Sequence, residues 1–295
     1  ENVDEELLNS IEDGDLYVAG YYSQYFIGTT TSTKVFKKVS VPNVTKWKNI
    51  YKGDDTGFFA IDDKNDVYVW ATLPKPMYTG ITNYNKNLQK ISNLSNIESI
   101  VGEHDTIKNH TFFLDKNKKL FGCGLNEYYQ LGNNTNTNTS MPISIGTTVW
   151  KQVSTDDFHV LAIRESDGAL FSWGHNVYGE CGSNSNVSVV KVPTRIGTST
   201  NWKYVCCGWL SSFAIDSNNH LYSWGWNGYG QLGLKDTDDR LVPTDTGKYA
   251  TKVWSFVDLT TYYANGNEIY SCGYESGSGS LSQGDPIPSI KSNFE

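Results

Sequence analysis

The chain has 295 residues, of which 19% are charged and 14% aromatic, so it holds ample material for a buried core and too little charge for a disordered one. A formal net charge of −8 without any Lys/Arg run argues against a protein that grips a phosphate backbone. No stretch approaches the roughly eighteen apolar residues of a membrane span, and five cysteines, an odd number, do not make a disulfide framework.

In chain order, residues 1–10 are acidic and unpatterned, and Leu7, Leu8 and Ile11 fit a degenerate strand that leads through Asp13-Gly14 into a strand at Leu16. That strand opens a unit that recurs. Residues 16–28, 67–71, 120–132, 170–182, 221–233 and 269–273 alternate apolar and polar positions up to a terminal Gly or Ala. The best copies continue through Asn and Tyr to a Gln-Leu-Gly step. The anchors Gly20, Ala71, Gly124, Gly174, Gly225 and Gly273 stand 51, 53, 50, 51 and 48 residues apart, a repeat period of about 51.

Each unit has a first half in the same phase. A strand (A) starts at Trp47, Trp150 and Trp202, with Ile97 in the Trp position of one unit and Val253-Trp254 as a looser copy. A second strand (B) follows at Phe59-Ala60-Ile61, Leu161-Ala162-Ile163, Phe213-Ala214-Ile215 and Tyr262-Tyr263-Ala264. A polar turn leads to the strand that ends on the anchor (C), and a weaker one (D) carries Pro at Val192-Pro193 and Val242-Pro243. Four short strands per unit without a helical period predict an all-β fold, a single β-propeller over residues 1–295 that is clearest over 118–274. Six C-type strands predict about six four-stranded blades, or seven if residues are missing upstream, in a closed ring with adjacent termini. Residues 72–88, with Pro74 and Pro76, read as a rigid surface excursion, 103–110 as an enlarged A–B loop and 133–140 as a solvated Asn/Thr tract. Residues 275–295 start as a Gly/Ser-rich connection and end in a ring-closing strand at 286–290.

The pattern Leu221-x-x-Trp224-Gly225-x-Asn227-x-x-Gly230-Gln231-Leu232-Gly233, with Trp202-x-x-Val205-x-Cys207-Gly208 and Ala214-Ile215, resembles the repeat of the regulator of chromosome condensation family, in a divergent form of bacterial or phage type. The resemblance is strong from 118 to 274 and weaker from 14 to 117. It implies a β-propeller, usually of seven blades. The family includes guanine-nucleotide exchange factors, a bacterial inhibitor of β-lactamases, photoreceptors and phage or bacterial surface proteins, so the fold alone does not fix a function.

No catalytic motif accompanies the repeat. There is no Gly-x-Ser-x-Gly elbow, no His-Glu-x-x-His and no phosphate loop, and the glycines sit in turns. Cys123, Cys272, Cys181 and Cys207 fall on core positions, where a thiol acts as a small hydrophobe, and Cys206 points to the other face of its strand. His159, where the resembled family often has His, is expected to pack its loop through a backbone hydrogen bond. Asp156-Asp157 lacks the ligand spacing of a calcium loop. The expectation is a non-enzymatic protein without metal or cofactor.

In an antiparallel blade the A–B and C–D connections leave from one face and the B–C turns from the other. The first face collects Asp54, Asp55, Glu103, Asp105, Asp156, Asp157, Trp209 and Tyr262 from A–B loops, and Tyr21, His175, Trp226 and Tyr274 directly after their anchors. Acids steer and rigid aromatics anchor. This face is therefore read as binding a macromolecule, another protein before a glycan, with neither nucleic acid nor membrane insertion. The alternatives are an exchange factor for a small GTPase, which would need a protruding wedge such as 72–90, and a glycan-binding propeller. A start at Glu1 without Met points to a processed or excised product and favours an extracellular or virion-surface setting over a cytoplasmic one.

Overall fold

The computed structural model describes residues 14–20, 33–52, 57–71, 88–102, 110–156, 158–185, 187–255, 259–274 and 281–286, and among them none is helical. A two-stranded sheet, β1 (Tyr17–Gly20) with β2 (Thr33–Lys38), precedes antiparallel meander sheets: among the described residues, three of four strands and one of seven, in which a shared strand joins two four-stranded blades. Blade I is β3 (Trp47–Lys52), β4 (Gly57–Asp62), β5 (Val67–Ala71) and β6 (Gln89–Lys90). Blade II comprises β7 (Ile97–Val101), β8 (His110–Asp115), β9 (Lys119–Gly124) and the start of β10 (Thr139–Thr155). Blade III uses the end of β10, then β11 (His159–Arg164), β12 (Leu170–His175) and β13 (Val189–Arg195). Blade IV is β14 (Trp202–Cys207), β15 (Ser211–Asp216), β16 (His220–Gly225) and β17 (Arg240–Tyr249). Blade V is β18 (Lys252–Ser255), β19 (Thr260–Asn265), β20 (Glu268–Tyr274) and β21 (Leu281–Pro286).

Most elements fall where the repeat phase puts them, and β10 differs. Strand β10 runs unbroken through the expected D-to-A connection, bending at Gly146 (φ 62°), because Thr147, Thr148 and Val149 favour extended backbone and only one turn residue interrupts them. Strand β21 (Leu281–Pro286) pairs with β20 of its own blade. Residues 72–87, 103–109 and 275–280, together with both chain ends, lie outside the described residues. The expected loops there, the closing strand at 286–290 beyond Pro286 and the closure of the ring fall on them.

The apolar side chains form a series of cores, one between each pair of neighbouring sheets. Strand B is the inner partition: β8, β11 and β15 are buried on both faces, and successive residues serve different neighbours. Phe113 packs toward blade I with Phe59, Ile61 and Cys123, whereas Phe112 packs toward blade III with Trp150, Val160 and Trp173. Ala214 joins Leu161, Leu170, Trp202 and Trp224 between III and IV, while Phe213 joins Leu232, Val253 and Tyr263 between IV and V. The strand-A tryptophans are buried and meet a strand-C aromatic edge to face: Trp47 on Tyr68, Trp150 on Phe171 and Trp202 on Tyr222, with centroids 5.2, 5.3 and 5.0 Å apart. A register shift follows each of these tryptophans and Ile97, so every described A strand from blade I to IV starts with a bulge.

Polar bonds tie the blades where the cores meet. The Trp173 indole Nε1–H donates to the carbonyl of Gln130 in the preceding blade (2.6 Å), and Trp224 does the same to Glu180 (2.9 Å). At the next junction the residue in this position is Cys272, whose Sγ lies 3.3 Å from the Gln231 carbonyl. The glycine that ends each Gln-Leu-Gly step lies directly under this contact in the left-handed region. A methyl on Gly182 (φ 65°) would sit 2.7 Å from Trp224 Nε1, and one on Gly233 (φ 69°) 3.2 Å from Cys272 Sγ. Both substitutions carry the roughly 1–2 kcal/mol cost of a left-handed L-residue, but only the first also collides with a rigid, bonded indole. Gly182→Ala is therefore expected to lower unfolding stability by about 2–4 kcal/mol and Gly233→Ala by about 1–2 kcal/mol, measured by urea denaturation. Equal costs would show that the indole contact is not what restricts this position.

Candidate functional site

Each C–D connection of blades II to IV is built round one buried asparagine. Asn126, Asn176 and Asn227 accept the N–H of Leu131, Cys181 and Leu232 at 2.9, 2.9 and 3.0 Å. Their Nδ2 groups donate to the carbonyls of Thr135, Val187 and Asp236 at 2.7, 2.9 and 3.0 Å, so one amide holds both arms of the loop. The buried Gln130, Glu180 and Gln231 accept the N–H groups of Tyr128, Tyr178 and Tyr229 at 2.8, 2.8 and 3.0 Å. That pair of bonds fixes the turn and raises the three tyrosines onto the loop face.

The raised tyrosines reach the next blade. Tyr128 meets His175 (5.1 Å between centroids), Tyr178 meets Trp226 (6.0 Å) and Tyr229 meets Tyr274 (5.3 Å), in each case the residue just after the following anchor. Trp226 also contacts Tyr229 (5.5 Å) and Trp209 of the A–B loop (5.7 Å), both edge to face. Tyr178, Trp226, Trp209, Tyr229 and Tyr274 thus form a continuous aromatic row across blades III to V. Trp209 and Trp226 are half-buried, while Tyr178, Tyr229 and Tyr274 keep 36%, 37% and 37% of their surface exposed. Rings packed by their edges against one another are held rigid and still present apolar surface to solvent.

Blade III departs from the pattern of its neighbours. His175 stands where they have Leu125 and Trp226, and Glu180 where they have Gln130 and Gln231. The two changes belong together: Glu180 is fully buried and its Oε1 bonds His175 Nδ1, with Oε2 on the Tyr178 N–H. Burial pushes the Glu180 carboxyl up, but the His175 hydrogen bond and the nearby His159 outweigh it and hold it below the usual value. Deeper in, His159 Nε2 lies 2.7 Å from Ser212 Oγ, and that hydroxyl spends its one proton on the Glu180 carbonyl (2.7 Å). The imidazole therefore carries its proton on Nε2 and donates to Ser212, a side-chain partner rather than the expected backbone one. Burial holds His159 down at about 4.

Of the residues expected on this face, Trp209, Trp226 and Tyr274 lie in the row, and His175 lies one blade further back, against Tyr128 and Phe158. Asp156 is half-buried in the A–B loop, its N–H bonded to the His159 carbonyl. Tyr262 needs correction: it is inside β19, paired with Trp254, because the strand starts at Thr260, where the buried Thr260 and Thr261 replace the apolar start expected from sequence. Tyr21, Asp54, Asp55, Glu103, Asp105 and Asp157 lie outside the described residues. Tyr178, Tyr229 and Glu180 were missed, although Tyr128, Tyr178 and Tyr229 share one repeat position and signalled a structural series. Among the described residues of the A–B and C–D loops, Glu127, Asp156, Asp236, Asp238 and Asp239 stand with Lys235 and, at the start of β17, Arg240, while Glu180 is buried. The described B–C turns carry Asp63, Asp66, Glu165 and Asp167 against Lys64, Lys116 and Lys118. Among the described residues, no three His, Cys, Asp or Glu side chains are grouped so as to hold a metal ion.

Four-stranded antiparallel blades that share their apolar cores with their neighbours define a β-propeller. The family model of the regulator of chromosome condensation (RCC1) repeat matches residues 118–163, 167–215 and 218–254, and a second model of the same repeat matches 202–231. Residues 118–254 of this chain thus carry RCC1 repeats. It is 32% identical over 137 residues to the ultraviolet-B receptor UVR8 of Arabidopsis thaliana, covering 44% of this chain and 31% of the receptor. It is 26% identical over 224 residues to the probable E3 ubiquitin-protein ligase HERC4 of Homo sapiens, covering 71% of this chain and 20% of the ligase. The match thus spans less than a third of either relative. Yeast RCC1 (Prp20), solved with Kap60, superposes with a TM-score of 0.71 at 18% identity over 95% of this chain and 72% of its own. Human WBSCR16 gives 0.70 at 18% identity, over 93% and 76%. At these identities the likeness is one of fold.

Protonation of the buried His159 gives a pH prediction. Its native value near 4 lies below the ordinary 6.5, so between these the unfolded chain binds a proton that the native state refuses. Stability is then fully present above pH 6.5 and falls as the pH drops toward 4, by roughly 3 kcal/mol in all. In His159→Gln, whose amide can still donate to Ser212, this slope should vanish from urea titrations across the window. A stability difference between the two proteins that stays constant with pH would refute the assignment.

Proposed function

We propose that this chain is a non-enzymatic RCC1-repeat propeller that binds a partner protein through the face formed by its A–B and C–D loops. The observation that carries this is the aromatic row from Tyr178 to Tyr274, which joins three blades and remains partly exposed. Aromatic anchors held rigidly at the middle of a surface lose little side-chain freedom on association, and they dominate binding energy where they occur. The relatives support the reading by analogy: yeast Prp20 is described with binding properties toward Gsp1p and histones, and in complex with Kap60. Carboxylates around the row would steer the encounter.

A partner recovered by the full chain and then titrated in purified form provides the test. Trp209→Ala and Trp226→Ala should each weaken binding by about 2 kcal/mol or more, with little change in melting. Charge reversal of Asp156 and Asp157 should chiefly slow association and flatten its salt dependence. Lys116→Ala and Asn218→Ala, on the opposite turns, should be silent. If the opposite-turn changes abolish binding while both tryptophans can be removed freely, the contact surface is the other face.

A further inference from the structure

The row and its surroundings select the chemistry of what they can hold. The exposed rings offer π-faces, which attract cations through their quadrupoles, indole most strongly. The loop that carries Trp226 and Tyr229 holds Asp236, Asp238 and Asp239 against Lys235 and the bordering Arg240, a net negative charge, whereas the described opposite turns are nearly balanced. Part of this charge sits beside Trp226 itself. Asp239 Oδ1 accepts the N–H of Asn227, the next residue, at 2.8 Å, and Asp236 Oδ1 lies 3.1 Å from its Nδ2. Arg240 pairs with Asp236 at 2.6 Å, which leaves this loop, with the exposed Asp238 and Asp239, still negative. A cation is thus favoured at the row twice, by the rings and by the carboxylates. An acidic segment would be repelled, and an apolar one would desolvate carboxylates without a counter-charge.

We propose that the aromatic row receives a basic segment of a protein partner, its arginine and lysine side chains lying against the rings and pairing with the loop carboxylates. This rests on the reading of the same face as the binding surface. Arginine suits the site better than lysine, because its planar guanidinium stacks on a ring while its edge bonds a carboxylate through two parallel N–H groups.

Three ten-residue peptides, with glycine alternating with arginine, lysine or glutamate, test the inference by calorimetric titration into the full chain. The arginine peptide should bind most tightly, the lysine peptide less so and the glutamate peptide not at all, with affinity falling as salt is raised. Trp226→Leu installs the residue that blade II carries at the same position, Leu125, so the fold should be kept, as its melting temperature will report. This variant should lose about tenfold in arginine-peptide affinity. Asp238→Asn with Glu127→Gln should weaken the salt dependence, and Lys116→Ala should change nothing. Equal binding of the glutamate peptide, or full arginine-peptide affinity in folded Trp226→Leu, would overturn the proposal. Loss of a captured partner in Trp226→Leu, with no competition from the arginine peptide, would overturn the basic segment alone. Partner binding that survives removal of both tryptophans would instead overturn the surface itself.

Discussion

Everything in this molecule depends on how one blade is fastened to the next. No blade has a core of its own, since the strand-B side chains alternate between two neighbours and each apolar cluster is shared. Fastening is therefore what turns separate sheets into a fold. The indole-to-carbonyl bonds of Trp173 and Trp224 hold the II–III and III–IV junctions at their loop ends, and the amide of Gln152, bonded both ways to the backbone of Val205, holds the III–IV junction near the strand-A side. The glycine beneath each indole is required by both backbone conformation and space.

The tyrosines of the C–D loops belong to the same system. Tyr178 and Tyr229 cap a junction by packing on the next blade, and the capped junctions together make up the exposed row. Structure and recognition are therefore not separate layers here. The paired exchange of His175 and Glu180 is the place where one junction has been altered while its backbone bonds stay the same. The Glu180 Oε2 still accepts the Tyr178 N–H, as the glutamines do in their blades. The bond to the turn is kept while the side-chain chemistry changes, on the half-buried His175 and the buried Glu180.

Much of the fold was legible because the repeat exposes its own phase. The positions of Trp150, Asn176, Leu232 and the anchor glycines follow from the period, and the strands form there because each position meets the same surroundings in every blade. What the period could not give was the partner of each group. Trp224 reads as a buried aromatic, and only the folded structure shows its Nε1 on a carbonyl of the preceding blade. Strand edges also slipped where chemistry was mixed: Thr260 and Thr261 fill buried positions that Ser211 and Ser212 fill in blade IV, and polar residues hid the start of β19. At the site, Trp209, Trp226 and Tyr274 were visible as large aromatics next to turn glycines. Tyr178 and Tyr229 were overlooked because they stand inside the turn, where exposed tyrosine looks incidental.

Strand β10 has a further consequence. Because Thr139–Thr155 is the outer strand of blade II and the inner strand of blade III, no slack separates these two sheets. One cannot open while the other stays closed without breaking a continuous ladder. The pair should act as a single cooperative unit, the last to exchange its amide hydrogens and the seed on which later blades assemble during folding. Junctions made by separate loops, as between Arg195 and Trp202, are free to form afterwards, one blade at a time.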